Sequence, residues 1–124
     1  MQASKIKHFT DLIIWQKGHK LVLDIYNITK KFPNEERFAL ADQIRRAAVS
    51  LTSNMAEGFG RSTSSDKSHF YVIALGSLYE IQNQAIISRD LKYIRTEECD
   101  LLLNECLEIA KMLTVLIKKI RSFT

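Results

Sequence analysis

The chain has 124 residues, of which 46% are hydrophobic and 26% charged, and its formal net charge is +4. This length and composition are typical of one globular domain and exclude an intrinsically disordered chain. No apolar run approaches the roughly 20 residues of a transmembrane helix, and the first eight residues lack the apolar core of a signal peptide. We therefore expect one cytoplasmic domain over residues 1–124 with no membrane partner.

The first helix is predicted over residues 11–31, because apolar residues recur there at spacings of three and four. Thr10 is expected to cap its amino end. Two adjacent apolar stripes run along this helix, and Trp15, His19 and Tyr26 belong to one of them. We interpret Trp15 and Tyr26 as core anchors and His19 as a hydrogen-bonded core residue.

The second helix is predicted over residues 35–60, with Asn34 as its N-cap and helix termination at the glycine-rich segment 58–62. Its apolar and small residues cover nearly the whole circumference of the helix instead of one face. Such a helix is expected to have partners on more than one side, and one partner can be a second copy of the chain. The core stripe of this helix is predicted as Ala41, Ile44, Ala48, Leu51 and Met55.

The third helix is predicted over residues 64–90, because Thr63 and Asp66 have the spacing of a capping box. The fourth is predicted over residues 97–121, opening at Thr96, with a seam of alternating four- and three-residue steps. That seam consists of Cys99, Leu103, Cys106, Ala110, Leu113, Ile117 and Ile120. Two helical turns, or about 10 Å, separate the two cysteines, which is too far for a disulfide, so both are interpreted as reduced core residues.

The breaks between the four helices are short, which favours antiparallel neighbours. The sequence therefore predicts an all-α, antiparallel up-down-up-down four-helix bundle that assembles as a homo-oligomer.

Several short motifs resemble one known family. They are Asp11-Leu12 with Trp15, Gln43-Ile44-Arg45-Arg46-Ala47-Ala48 with Ser50-Leu51, Asn54-Met55-Ala56-Glu57-Gly58, and Gly76-Ser77-Leu78 with Glu80. The resemblance is to the bacterial four-helix-bundle proteins encoded in intervening sequences of large-subunit (23S) ribosomal RNA genes, and it covers about residues 8–120. It implies a bundle without established enzymatic activity that forms a homo-oligomer, a ring of five.

The same fold is similar to that of the accessory proteins of diversity-generating retroelements. Those proteins form pentameric barrels and bind a reverse transcriptase and nucleic acid. By analogy of fold, the resemblance implies RNA, DNA or a reverse transcriptase as partners.

Positive charge is expected to collect at one end of the antiparallel bundle, where seven basic residues face Asp11, Glu57 and Asp66. A ring would gather this end from every subunit into a basic rim that could hold nucleic-acid phosphates. The alternative is that these cations only complement helix dipoles and keep the chain soluble. The predicted nucleic-acid-binding residues are Lys5, Lys7, Arg61, Lys67, Lys118, Lys119 and Arg121.

Charged residues interrupt the otherwise apolar second helix. Asp42 lies three and four residues before Arg45 and Arg46, and Arg45 is expected level with Glu80 of the third helix. We predict a structural ion-pair network of Asp42, Arg45, Arg46 and Glu80; direct nucleic-acid contact by the two arginines is the alternative.

A second, outward apolar stripe on the third helix is not needed by the predicted core. We expect it to form the subunit interface together with the outer face of the second helix. The alternative is that neighbouring helices bury it within the subunit. The predicted interface residues are Val49, Ser53, Ala56, Val72, Leu75, Gly76, Tyr79 and Ile86.

Motifs of catalytic and metal sites are missing from the sequence. It has no Glu-x-x-His pair, no Cys-x-x-Cys pair and no Lys-Ser/Thr directly after a glycine of its glycine-rich segment, as a phosphate loop requires. We therefore expect no catalytic residue, no metal, no cofactor and no small-molecule substrate. The predicted function is a non-enzymatic oligomer that binds nucleic acid or a nucleic-acid enzyme through its basic rim; the alternative is a protein–protein scaffold ring.

Overall fold

The computed structural model describes residues 5–123, which form four α-helices, two short 3-10 helices and no strand. The all-α prediction is therefore confirmed. The four long elements are α1 (Ile13–Thr29), α2 (Leu40–Gly60), α3 (Ser64–Asp90) and α4 (Thr96–Arg121); the 3-10 helices span Phe9–Asp11 and Asn34–Glu36.

The amino end of α1 differs from the prediction, because Thr10 lies inside a 3-10 helix instead of capping α1. His8 caps that short helix, and the Asp11 carboxylate accepts hydrogen bonds from the backbone N–H groups of Lys7 and His8, each at 3.0 Å. These bonds hold the pKa of Asp11 below its usual value. Leu12 then takes an extended conformation, so α1 begins only at its next residue.

The start of α2 also differs, because Asn34 begins a separate 3-10 helix and α2 starts six residues later, at Leu40. The Glu36 carboxylate explains why the 3-10 helix and α2 are separate elements. One of its oxygens accepts from the Leu40 backbone N–H at 3.3 Å, and the other accepts from the Tyr93 hydroxyl at 3.0 Å. A residue 57 positions away in the chain thus holds the group that caps α2.

The third and fourth helices begin at local side-chain caps. The Thr63 hydroxyl oxygen accepts from the Asp66 backbone N–H at 3.1 Å, as their spacing indicates. Before α4, the Glu98 carboxylate accepts from the Arg95 backbone N–H at 2.9 Å. The buried face of α4 differs from the predicted seam, because Leu102 and Ile109 are fully buried whereas Leu103 and Ala110 are only partly buried.

Each helix packs against two neighbours: α1 against α2 and α4, and α3 against α2 and α4. Among the described residues the diagonal pairs α1–α3 and α2–α4 have no Cα atoms within 8 Å. This square arrangement encloses one core and explains the shift on α4, whose buried face is shared between two neighbours. The large, fully buried side chains are Leu21, Ile25, Ile44, Leu51, Met55, Leu78, Ile81, Leu102, Ile109 and Leu113.

The two cysteines are buried and free, as the sequence indicates. Burial raises the pKa of the Cys106 thiol to about 12 and raises that of Cys99 as well. Both thiols therefore stay protonated and serve as small core side chains.

Gly58 is placed for close packing of α2 on α3. The helix ends at Gly60, inside the predicted glycine-rich segment, so Gly58 still lies within its last turn, and no glycine in the described residues has a positive φ. A Cβ atom at Gly58 would meet three ring atoms of Tyr71 at 3.0 to 3.2 Å, whereas a Cβ at Gly60 would have no neighbour within 4 Å. The Tyr71 ring thus covers the backbone of α2 at a distance that only glycine permits.

Gly58→Ala should lower the free energy of unfolding by about 1–3 kcal/mol, because the added methyl group displaces the buried Tyr71 ring. Gly60→Ala is the matched control on the same helical turn, and it should be neutral or stabilising by up to about 1 kcal/mol. Urea denaturation followed by circular dichroism measures both. Equal effects of the two substitutions would show that the Gly58–Tyr71 contact does not limit the packing of α2 on α3.

Candidate functional site

The surface between α1 and α4 is charged. Lys17 pairs with Glu108 at 3.1 Å, Lys20 with Glu105 at 3.6 Å, and Lys31 with Glu98. Residue numbers rise along α1 while those of the partners on α4 fall. We call this face the α1–α4 surface.

A titratable cluster lies at its centre, where the carboxyl groups of Asp24 and Glu105 share one lysine. The Lys20 ammonium donates to Asp24 at 2.7 Å, and only 15% of the Glu105 side chain is exposed. One Glu105 oxygen is buried without a hydrogen-bond partner among the described residues. Burial, then the neighbouring Asp24 carboxylate, raise the pKa of Glu105 to about 7, against the opposing effect of Lys20.

This raised pKa makes the stability of the fold depend on pH. The folded state holds the Glu105 proton more tightly than the unfolded chain, whose pKa is near the ordinary value of 4.5. The stability that Glu105 contributes is therefore fully present below pH 4.5, and it is lost as pH rises through about 7.

Glu105→Gln should reduce the fall in melting temperature between about pH 5 and about pH 8 by roughly 3–6 °C, because glutamine resembles the protonated carboxyl group. Differential scanning calorimetry measures the two slopes. Glu108→Gln, on the exposed Glu108 of the same helix, should leave the slope as in the unmodified chain. Identical slopes for both variants would contradict proton uptake at Glu105.

The surface between α2 and α3 is polar and mostly uncharged. The hydroxyl groups of Ser50 and Ser77 lie 3.0 Å apart, and the Asn54 amide donates to the Ser50 carbonyl oxygen at 2.8 Å. A groove of about 450 Å³ follows this contact. Its lining residues are Gln43, Arg46, Ala47, Ser50, Glu80 and Gln84.

The predicted four-residue ion-pair network does not form as expected. Asp42 does pair with Arg46 along the helix, at 2.9 Å. Arg45, however, turns toward α1, where its Nε donates to the Thr29 hydroxyl at 2.8 Å and its guanidinium lies 4.7 Å from the centre of the Tyr26 ring. Glu80 is exposed and forms no ion pair within residues 5–123. A buried hydroxyl acceptor on α1 therefore replaces the expected carboxylate on α3.

The surface between α1 and α2 is lined by aromatic rings. Trp15 stacks on His19 with ring centres 4.8 Å apart, and Phe9 meets the edge of Trp15 at 5.4 Å. His19 is exposed and Tyr26 is 39% exposed, so neither is the core residue that the sequence predicts. Helical spacing places both residues beside a core stripe. Their rings nevertheless pack on neighbouring surface side chains, His19 on Trp15 and Tyr26 against Arg45, and do not enter the protein interior.

The α2 residues of the predicted interface border this aromatic surface. Val49 and the ring of Tyr26 line an open pocket of about 480 Å³, and Ser53 and Ala56 line another of about 570 Å³ beside Phe9. We call this face the α1–α2 groove, defined by Phe9, Trp15, His19, Tyr26, Val49, Ser53 and Ala56.

The remaining predicted interface residues lie on α3, facing away from α2. Tyr79 and Ile86 each follow an α2-facing residue by two positions, a rotation of about 200°, and they are 60% and 37% exposed. Neighbouring helices of the subunit therefore leave Tyr79 and Ile86 uncovered, whereas Leu75 of the same stripe is partly buried against the core. A Cβ atom at Gly76 would have no neighbour within 4 Å, so nothing in the subunit requires glycine there.

Leu107 extends this stripe onto α4, and sequence reasoning missed it. It lies two positions after Glu105, which faces α1, and it is 52% exposed. The regular seam of α4 indicates only its inner residues, and an isolated outward leucine has no periodic signal. We call this face the α3–α4 ridge, defined by Val72, Leu75, Gly76, Tyr79, Ile86 and Leu107.

The seven predicted nucleic-acid-binding residues differ in how available their charges are to phosphate groups. Arg61 pairs with Glu57 at 2.8 Å, and the Lys67 ammonium donates to the Phe59 carbonyl oxygen at 2.9 Å, so both support the end of α2. Lys118 and Lys119 are exposed in the last turn of α4. Arg121 lies in the same turn, and Lys5 and Lys7 are exposed before the first 3-10 helix.

Two further properties of residues 5–123 bear on function. No group of three or more His, Cys, Asp or Glu side chains in this part of the chain could hold a metal ion. No helix within it is both long and apolar enough to cross a membrane.

Comparison with known proteins identifies the family. A family model described as the 23S rRNA-intervening sequence protein matches residues 10–115. A crystal structure of a protein of unknown function from the S23 ribosomal protein family of Bacteroides thetaiotaomicron VPI-5482 is similar, with a TM-score of 0.79 and 26% identity over 86% of this chain and 99% of that one. No curated protein matches the chain. The chain therefore belongs to the 23S rRNA-intervening sequence protein family.

Proposed function

We propose that this chain is a non-enzymatic, cytoplasmic bundle with antiparallel up-down-up-down topology, which assembles into a closed ring and binds nucleic acid at one basic end. The order of contacts supports the topology. Along α1 and α4 the pairs are Lys17–Glu108 and Lys20–Glu105, and α2 and α3 pair through Ser50 and Ser77 near their middle and through Lys67 at their joint.

The distribution of apolar side chains supports the ring. The α1–α2 groove and the α3–α4 ridge lie on opposite sides of the square bundle, whereas the contacts across the other two faces are made by charged or polar side chains. A surface that fits a different surface on the next copy makes a head-to-tail contact, and such contacts form a closed ring when the rotation from one copy to the next closes. Five copies is the number that the family resemblance implies.

Tyr79 is the proposed centre of that contact. Because Ser77 lies beside Ser50, Tyr79 is level with the Arg45–Val49 segment of α2. That segment and Tyr26 line the open pocket of about 480 Å³. In a ring whose subunits are parallel, the Tyr79 phenol of one copy meets this pocket of the next, and a buried tyrosine beside an arginine is typical of interface hot spots.

Tyr79→Glu should weaken the association of subunits by about tenfold or more, because it places a desolvated charge in the proposed contact. Analytical ultracentrifugation at several protein concentrations measures this effect as a shift to smaller particles. Ile73→Glu is the control, because Ile73 is 39% exposed on the same helix but about 120° around it from Tyr79. It adds the same charge outside the ridge and should leave the particle size unchanged. A Tyr79→Glu variant with the mass of the unmodified protein would refute this interface.

The exposure of Lys118 and Lys119 is the observation on which the nucleic-acid proposal rests. Both are exposed at the end of α4, and in the proposed topology they lie at the same end as Lys5 and Lys7. Ring closure repeats these cations around one rim. Phosphate binding by many lysines at once releases counterions, so affinity should fall steeply with salt.

The double substitution Lys118→Glu and Lys119→Glu should weaken binding to single-stranded RNA, duplex RNA or duplex DNA by about tenfold or more and flatten its salt dependence. Fluorescence anisotropy at about 50 and about 200 mM salt measures both effects. Lys30→Glu with Arg37→Glu is the control, with the same charge change at the opposite end of the bundle. Equal affinities for the two variants would contradict a basic rim at the end of α4.

A protein–protein scaffold ring without a nucleic-acid role is the second candidate. Exposed apolar side chains among the lysines favour it, since Val115 is 66% and Phe123 75% exposed at this end. Failure of the unmodified protein to bind any of the three nucleic acids at the lower salt concentration would select this candidate.

A further inference from the structure

A shallow apolar pocket of about 390 Å³ lies on the outer surface of α4. Its floor is formed by Met112 and Leu116, which are partly buried, and the exposed Val115 protrudes beside them. Lys111 and Lys119 stand at its two ends. None of these five residues takes part in an ion pair or hydrogen bond through its side chain within the described part of the chain.

We propose that this pocket docks an acidic amphipathic helix of a partner protein. Lys111 and Lys119 are eight residues apart, which is two helical turns or about 12 Å. A partner helix that places an apolar side chain on Val115 and carboxylates two turns apart would match both the floor and its charged ends. Recognition of this kind uses an apolar helix face for affinity and flanking charges for orientation.

The shape and chemistry of the pocket favour this occupant over two others. Nucleic acid would place phosphates and sugars on an apolar floor, which offers them no hydrogen bonds. A lipid surface would require protruding apolar side chains, but Met112 and Leu116 are recessed and only Val115 stands out. A recessed apolar floor between two ammonium groups therefore suits a helix that carries its own apolar side chain into the pocket.

The pocket also lies apart from the proposed ring contacts. Met112 follows the α1-facing Glu108 by one turn, so the pocket borders the charged α1–α4 surface. The ring proposal uses the α1–α2 groove and the α3–α4 ridge and leaves this face open. The partner helix can thus bind the assembled particle, and the inference does not depend on nucleic-acid binding.

A fluorescein-labelled synthetic peptide tests the proposal. The peptide carries leucines at spacings of three and four and glutamates on both flanks, and a second peptide has lysines in place of the glutamates. The full-length protein should bind the glutamate peptide in fluorescence anisotropy and bind the lysine peptide at least about tenfold more weakly.

Two variants of α4 show whether the pocket is the binding site. Val115→Glu should weaken binding of the glutamate peptide by about tenfold or more, whereas Leu101→Glu, at an exposed leucine of the same helix outside the pocket, should not change it. Lys111→Glu with Lys119→Glu should reverse the preference toward the lysine peptide. This reversal is a gain of binding, so it cannot result from unfolding.

Three results would overturn the proposal. The first is equal binding of both peptides by the unmodified protein. The second is equal weakening by Val115→Glu and Leu101→Glu. The third is that vesicles containing phosphatidylserine, or single-stranded RNA, bind in a Val115-dependent manner while the glutamate peptide does not, because the pocket would then serve a lipid surface or nucleic acid.

Discussion

The close approach of α2 and α3 determines where the other surfaces of the bundle lie. Glycine at position 58 lets the Tyr71 ring rest on the backbone of α2, and the hydroxyl groups of Ser50 and Ser77 are in contact. Small side chains on α2 allow this contact along its length. With the seam between these helices closed by small and polar groups, Val72, Tyr79 and Ile86 of α3 stay outside the core on the side away from α2.

The result is a bundle whose four faces alternate in character. The α1–α4 and α2–α3 faces carry charges, hydroxyls and amides, and the α1–α2 groove and α3–α4 ridge carry aromatic and aliphatic side chains. A monomer gains nothing from exposing Tyr79, Ile86 and Leu107 together on one side of the molecule. This alternation of faces, more than any single residue, supports the inference that the protein acts through surface contacts and subunit assembly.

Sequence periodicity was sufficient for the number and order of the helices, for the cap of α3 and for the start of α4, because the signals there are local. It failed at the starts of α1 and α2, where the Asp11 and Glu36 carboxylates bind backbone N–H groups and produce separate 3-10 helices. Glu36 is held by Tyr93, a contact that no local pattern encodes. The predicted pairing of Arg45 with Glu80 is wrong for a related reason. The Thr29 hydroxyl and the face of the Tyr26 ring compete with this carboxylate for Arg45 only once α1 is in place.

The mass of the unmodified protein in solution shows whether the two apolar faces fit each other in a closed assembly. Native mass spectrometry across a range of protein concentrations is the measurement. A closed ring gives one species whose mass is a fixed multiple of the 14.3 kDa chain and does not change with concentration. A monomer of 14.3 kDa throughout, or an open series of growing particles, would contradict it.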